Sequence, residues 1–124
     1  MQTMGTIREA SPLKILVIED DGAIRDALCD VLTLAGHDAT GAEHGKAGLD
    51  SIRRRVPDVI LLDLRMPVMN GAEFLKAFAA LGLSCRIIVL TANPQDLPPG
   101  VNLPLLAKPY DVDRLLKVIE GKPA

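Results

Sequence analysis

Apolar positions in this chain follow two alternating rhythms. Short continuous runs, Lys14-Ile15-Leu16-Val17-Ile18, Val59-Ile60-Leu61-Leu62 and Ile87-Ile88-Val89-Leu90, are rich in β-branched side chains and read as strands buried on both faces. Between them the spacing changes. Ile24, Ala27, Leu28, Val31, Leu32 and Ala35 recur at helical intervals and stop at Gly36. Residues 37–42 form a weaker candidate strand, and residues 47–55 predict a short helix carrying Leu49 and Ile52. Residues 71–81 predict a helix that buries Phe74, Leu75 and Phe78 before Gly82, followed by a strand over 86–91. A fifth strand is expected over 103–108. The last helix is expected over 111–120, with Asp111 as N-cap and Gly121 as the stop. Strands and helices in repetition, with continuously apolar strands, imply a doubly wound α/β domain whose parallel sheet is covered on both faces.

One crossover breaks the pattern. Between Thr91 and Leu103 the chain carries Pro94, Pro98 and Pro99 and shows no helical period, although parallel strands are normally joined through a helix. A full fourth helix is not expected there, and 94–97 would make at most a single turn. The gap predicts apolar sheet surface near Leu97, Val101 and Leu103 that a partner or a second copy could cover.

With 124 residues the chain fits one domain, expected over 13–121 between a loose lead-in, 1–12, and a tail, 122–124. The aromatic residues are Phe74, Phe78 and Tyr110, with no Trp, so base-stacking platforms are missing. A net charge of -2 adds no basic field. Arg53-Arg54-Arg55 falls where a helix ends, so it reads as helix C-terminal charge and not as a phosphate-backbone patch. These features argue against nucleic-acid binding. Cys29 and Cys85 lack metal-knuckle spacing and read as reduced packing residues. Neither a signal peptide nor a membrane span is visible, and a cytoplasmic protein is expected.

The candidate chemistry lies at the strand ends. In doubly wound sheets the ligand crevice lies beyond the carboxyl ends of the strands. Strand one ends in Glu19-Asp20-Asp21, strand three in Asp63, strand four in Thr91 and strand five in Lys108-Pro109. Each has a plainer use. An acidic run can simply start a helix, and a strand-end Asp can cap a loop. Together they suit phosphoryl transfer to Asp63. Asp20 and Asp63 would ligate Mg²⁺ directly and Glu19 through water, while Lys108 holds the phosphoryl oxygens from the other side and Thr91 donates a hydroxyl.

At this point the chain resembles the receiver domain of two-component response regulators. The matching pieces are Ile15-Leu16-Val17-Ile18-Glu19-Asp20-Asp21, Val59 through Gly71 with Asp63 at its centre, Ile87-Ile88-Val89-Leu90-Thr91-Ala92 and Ala107-Lys108-Pro109-Tyr110. The resemblance implies a flavodoxin-like, five-stranded parallel sheet in the order 2-1-3-4-5. It implies Asp63 as phospho-acceptor, Glu19 and Asp20 as the acidic metal pair, and the backbone carbonyl of Arg65 as a further ligand for Mg²⁺. Thr91 would be the switch hydroxyl, the Ala92 amide would meet the phosphate, Lys108 would be the site lysine, and the Lys108-Pro109 bond is commonly cis. Arg65 and Asn93 would flank the path of hydrolytic water and tune dephosphorylation. The implied partners are a histidine kinase or histidine phosphotransfer protein and a separate downstream protein. The chain itself would be a monomer or a phosphorylation-dependent dimer, and not an enzyme in the ordinary sense.

Two positions depart from the family pattern. Leu105 stands where an aromatic usually swings with the threonine, and the 91–108 stretch is short. Both changes fall on the face that commonly reports phosphorylation. The competing readings are a pseudo-receiver that binds partners without being phosphorylated, and a receiver excised from a hybrid histidine kinase. Gly41 through Ala47 is a defective P-loop. A haloacid-dehalogenase-type site would need a carboxylate where the chain has Arg65, and His37 and His44 read as packing or solvated residues.

Overall fold

The computed structural model describes residues 12–64 and 69–121. The elements run β1 Lys14–Ile18, α1 Gly22–Leu34, β2 Asp38–Ala42, α2 Gly45–Arg54, β3 Val59–Asp63, α3 Gly71–Ala80, β4 Arg86–Thr91, β5 Leu105–Ala107 and α4 Val112–Ile119. All pairings are parallel, in the order β2-β1-β3-β4-β5. Alternation along each strand divides the core in two. Leu16, Ile18, Ile60, Leu62, Ile87 and Val89 pack with Leu49, Ile52, Phe74 and Phe78 from α2 and α3. Ile15, Val17, Val59, Leu61, Ile88 and Leu90 pack with Leu28, Leu32, Leu115 and Ile119 from α1 and α4. Each such Leu or Ile, fully buried, contributes on the order of 1.5–3 kcal/mol.

The helix ends follow the local chemistry. Asp21 caps α1 by accepting from the Ala23 and Ile24 amides, and Gly36 follows it at φ 97 in the left-handed region. Asn70 and Glu73 form a reciprocal capping box on α3. Asp111 caps α4 as expected, and Gly121 ends it at φ 74. Helix α2 begins earlier than its apolar period because His44 supplies the cap, its Nδ1 accepting from the Ala47 amide at 3.1 Å. At Gly48 a methyl group would lie 2.6 Å from Ile18 Cδ1, so α2 needs glycine there to approach β1.

The β4–β5 crossover holds only a 3-10 turn, Pro94–Asp96, capped by the Asn93 side chain. The fifth strand is shorter than its apolar run: Pro104 still accepts from the Val89 amide and the Lys108 amide still donates to Thr91, but only Leu105–Ala107 is strand. The expected open surface is not there. Leu97, Leu103 and Leu105 fold onto the α2/α3 side of the core, and Val101 is half-buried, so the irregular segment covers the sheet face that a helix would have covered.

Candidate functional site

Parallel register brings the ends of β1, β3, β4 and β5 to one edge, and the polar residues there converge. Asp63, the last residue of β3, is 8% exposed, and Glu19, just past β1, is 2% exposed. Carboxylate oxygens of Glu19, Asp20 and Asp63 lie within 4.8 Å of one another. Lys108 Nζ reaches in from beyond β5, 3.5 Å from Asp63 Oδ2 and 3.6 Å from Glu19 Oε1. The Lys108-Pro109 bond is cis.

The acidic run after β1 divides its labour. Asp21 turns outward to cap α1, which is the plain use of an acid at a helix start. Glu19 and Asp20 turn toward Asp63. Glu19 Oε2 accepts from the Asp21 amide at 3.2 Å, while the buried Oε1 makes no hydrogen bond and lies 3.6 Å from the Lys108 ammonium. Burial, opposed by the Asp21 amide and reinforced by the Asp63 charge, pushes the Glu19 carboxyl up to about 7. Burial works against the Lys108 ammonium, but Asp63 and Glu19 outweigh it and raise its pKa. Three crowded carboxylates with one under-satisfied buried oxygen fit a hard divalent cation, which takes oxygen ligands.

The remaining site residues are placed as follows. Thr91 is buried at the end of β4, its hydroxyl donating to the Asn93 carbonyl and accepting from the Asn93 amide, both at 3.1 Å. Ala92 is exposed beside it, and Asn93 is half-buried with its side chain on the Gln95 amide. Arg65 lies outside the described residues. The Gly71 amide donates to Leu64 O at 3.0 Å, and a methyl group at Gly71 would lie 2.5 Å from Leu64 Cδ2.

The apolar pattern does not single out Arg25. The guanidinium donates to the Glu19 carbonyl at 2.8 Å, and the signal available in sequence is a lone cation in the first turn of a helix that follows three acids. His37 is a packing residue: its ring is buried, Nδ1 accepts from the Leu13 amide at 3.1 Å, and Nε2 lies 3.1 Å from Glu120 Oε2.

A five-stranded doubly wound parallel sheet with an acidic cluster and a lysine at its carboxyl edge defines the class: a flavodoxin-like α/β domain with a candidate cation site at the strand ends. The comparisons narrow it to one family. Residues 15–120 match the response regulator receiver domain, and the chain belongs to that family. It is 31% identical over 112 residues to sporulation initiation phosphotransferase F of Bacillus subtilis, covering 86% of this chain and 90% of that protein. It is 34% identical over 110 residues to the DNA-binding transcriptional regulator NtrC of Klebsiella pneumoniae, covering 84% of this chain but 23% of that one. Among solved structures, the chemotaxis protein CheY4 of Vibrio cholerae superposes with a TM-score of 0.78 at 29% identity, over 91% of this chain and all of that one. The family is one of signalling domains in two-component systems. No helix among the described residues is long and apolar enough to cross a membrane.

Proposed function

We propose that this receiver takes a phosphoryl group from a phosphohistidine, on a histidine kinase or a histidine phosphotransfer protein, onto Asp63. The observation that carries the reading is the Asp63 carboxylate, buried at the end of β3 beside Glu19 and Asp20, with the Lys108 ammonium 3.5 Å from Oδ2. An Asp63 oxygen attacks phosphorus, the bond from phosphorus to the imidazole nitrogen breaks, and the electron pair leaves with the imidazole. Asp20 and Asp63 would hold Mg²⁺ directly and Glu19 through water, with the Arg65 carbonyl as the further ligand the family resemblance implies, and the ion would supply the charge neutralisation that lets a carboxylate meet an anionic phosphoryl group. Lys108 stabilises the charge spreading over the equatorial oxygens. Thr91 gives up its bonds to Asn93 to donate to the acyl phosphate, and the Ala92 amide donates beside it. Arg65 and Asn93 tune hydrolysis.

The output passes to a separate protein or onward along a relay. Similarity to sporulation initiation phosphotransferase F over 90% of that protein's length supports a phosphotransfer role. Leu105 leaves no aromatic to follow Thr91, so the change is read at the loops and the β4–β5 crossover. The reading is tested by incubating the protein with acetyl phosphate and Mg²⁺ and measuring intact mass. The expected result is a gain of one phosphoryl group, absent in Asp63→Asn and absent with EDTA. An unmodified wild type, under conditions that label other receivers, would leave only a partner-binding module of this fold.

A further inference from the structure

Arg25 stands on the wrong end of its helix. A cation in the first turn of α1 opposes the helix dipole, and it is not turned to solvent in compensation. The half-buried side chain runs back over the end of β2, and Nη1 donates to the Glu19 carbonyl at 2.8 Å. Room for that path comes from Gly41, the partner of Val17 in the β1–β2 ladder. A methyl group at position 41 would lie 2.9 Å from Arg25 Cδ and 3.0 Å from Cγ. Gly41 is not among the glycines with positive φ, so space and not backbone conformation is what requires glycine there.

The carbonyl that Arg25 grips belongs to the peptide joining Glu19 to Asp20. On the other side of the same residue, the Glu19 amide donates to Ala42 O at 3.0 Å. The backbone between the two acids is therefore fixed from both directions, by β2 and by α1. We infer that Arg25, seated on Gly41, is a positioning residue that orients the Glu19–Asp20 peptide so that both carboxylates converge with Asp63 on a divalent cation. The inference rests on the metal-dependent reading above and adds to it a residue that touches neither metal nor phosphate.

Charge and position give opposite signs here, which makes the test decisive. By Coulomb attraction alone, removing the cation bonded to the Glu19 carbonyl must tighten binding of a divalent ion at the nearby carboxylates. Loss of positioning weakens it. Mn²⁺ serves as the probe, its free fraction followed by electron paramagnetic resonance. Arg25→Gln is expected to weaken Mn²⁺ binding about tenfold, the scale on which groups supporting metal ligands act. Gly41→Ala should weaken it in the same direction by less, and Arg25→Lys should recover part of the loss. The far-UV dichroism spectrum reports that each variant is folded, and if Arg25→Gln is not, Gly41→Ala decides in its place. Binding as tight as wild type or tighter in a folded variant overturns the inference and leaves the metal site standing. A wild type that takes up no Mn²⁺, or an Asp20→Asn variant that binds it equally well, overturns the metal site itself and the inference with it.

Discussion

Charged groups gather at both ends of this sheet, and the two ends treat them differently. At the amino edge every contact closes: His37 links the Leu13 amide to Glu120, the Asp58 side chain accepts from the Lys14 amide at 2.8 Å, and Arg86 donates to the carbonyls of Ile119 and Val118 at 2.6 and 2.7 Å. These are struts: His37 and Arg86 tie the starts of β1 and β4 to the end of α4, and Asp58 ties the lead-in of β3 to β1. At the carboxyl edge Arg25 and Thr91 also bond backbone groups closely, but the buried acids share one distant cation. One lysine serves two carboxylates at 3.5 and 3.6 Å, and a buried Glu19 oxygen lacks a donor. Polar groups that exist to hold a fold find partners within it, whereas groups left short of partners point to something that arrives from outside.

The largest expected difference between the ends is functional. Asp63→Asn should remove phosphoryl uptake altogether while leaving the melting temperature of the metal-free protein close to wild type. At the other end, His37→Ala should cost about 2–4 kcal/mol, because it opens a hole in a buried layer and removes the acceptor of the Leu13 amide. Its labelling by acetyl phosphate should be unchanged at a temperature where it is folded. Urea denaturation and intact mass on the same two variants check the exchange. If His37→Ala lost labelling while folded, the two edges would not be separable.

How far the sequence speaks follows the same division. The doubly wound architecture and the missing crossover helix are legible because continuous apolar runs and three prolines act locally, whereas the strand order comes only with the family resemblance. The convergence of Glu19, Asp20, Asp63 and Lys108 is legible because strand ends share an edge. What the pattern does not carry is side-chain direction. The hydrophobic pattern around Glu19-Asp20-Asp21 does not tell which acid caps α1; the chemistry and the resemblance assign Glu19 and Asp20 to the site, and the structure shows Asp21 as the cap. Nor does the pattern show that Leu97 and Leu103 fold back to cover the sheet, where an open surface was the natural expectation. His37 is similar: a lone histidine shows its use only when Leu13 and Glu120 are brought to it by the fold.

The third effect is a pH dependence confined to the carboxyl edge. The Glu19 carboxyl is pushed up to about 7 by burial, with the Asp63 charge adding to it, from an ordinary value of 4.5. The folded state thus holds a proton between those values that the unfolded chain has released. Stability must therefore fall as pH rises through that window, the reverse of an acid held by a salt bridge. In the metal-free protein, the difference in unfolding free energy between wild type and Glu19→Gln should shift against wild type by about 1–3 kcal/mol from pH 5 to pH 8. Saturating Mg²⁺ should flatten the difference, since a bound cation favours the ionised form. A difference that stays level in EDTA would mean that Glu19 is ionised throughout and that Lys108 alone neutralises it.

The smallest effect sharpens what counts as a strut. Arg55 Nη2 lies 2.7 Å from Asp38 Oδ2 at the amino edge, a shorter contact than either made by Lys108, yet both side chains are more than half exposed. Distance alone would rank it above both of the Lys108 ion pairs. Exposure reverses the ranking, because water competes for both charges and salt screens what remains. Arg55→Gln should change stability by about 0.5 kcal/mol or less, and the change should vanish in 1 M salt. The His37→Ala loss should persist there, because its partners are lost inside the protein where no ion reaches. A large, salt-resistant loss at Arg55 would show that packing of its side chain matters more than its charge.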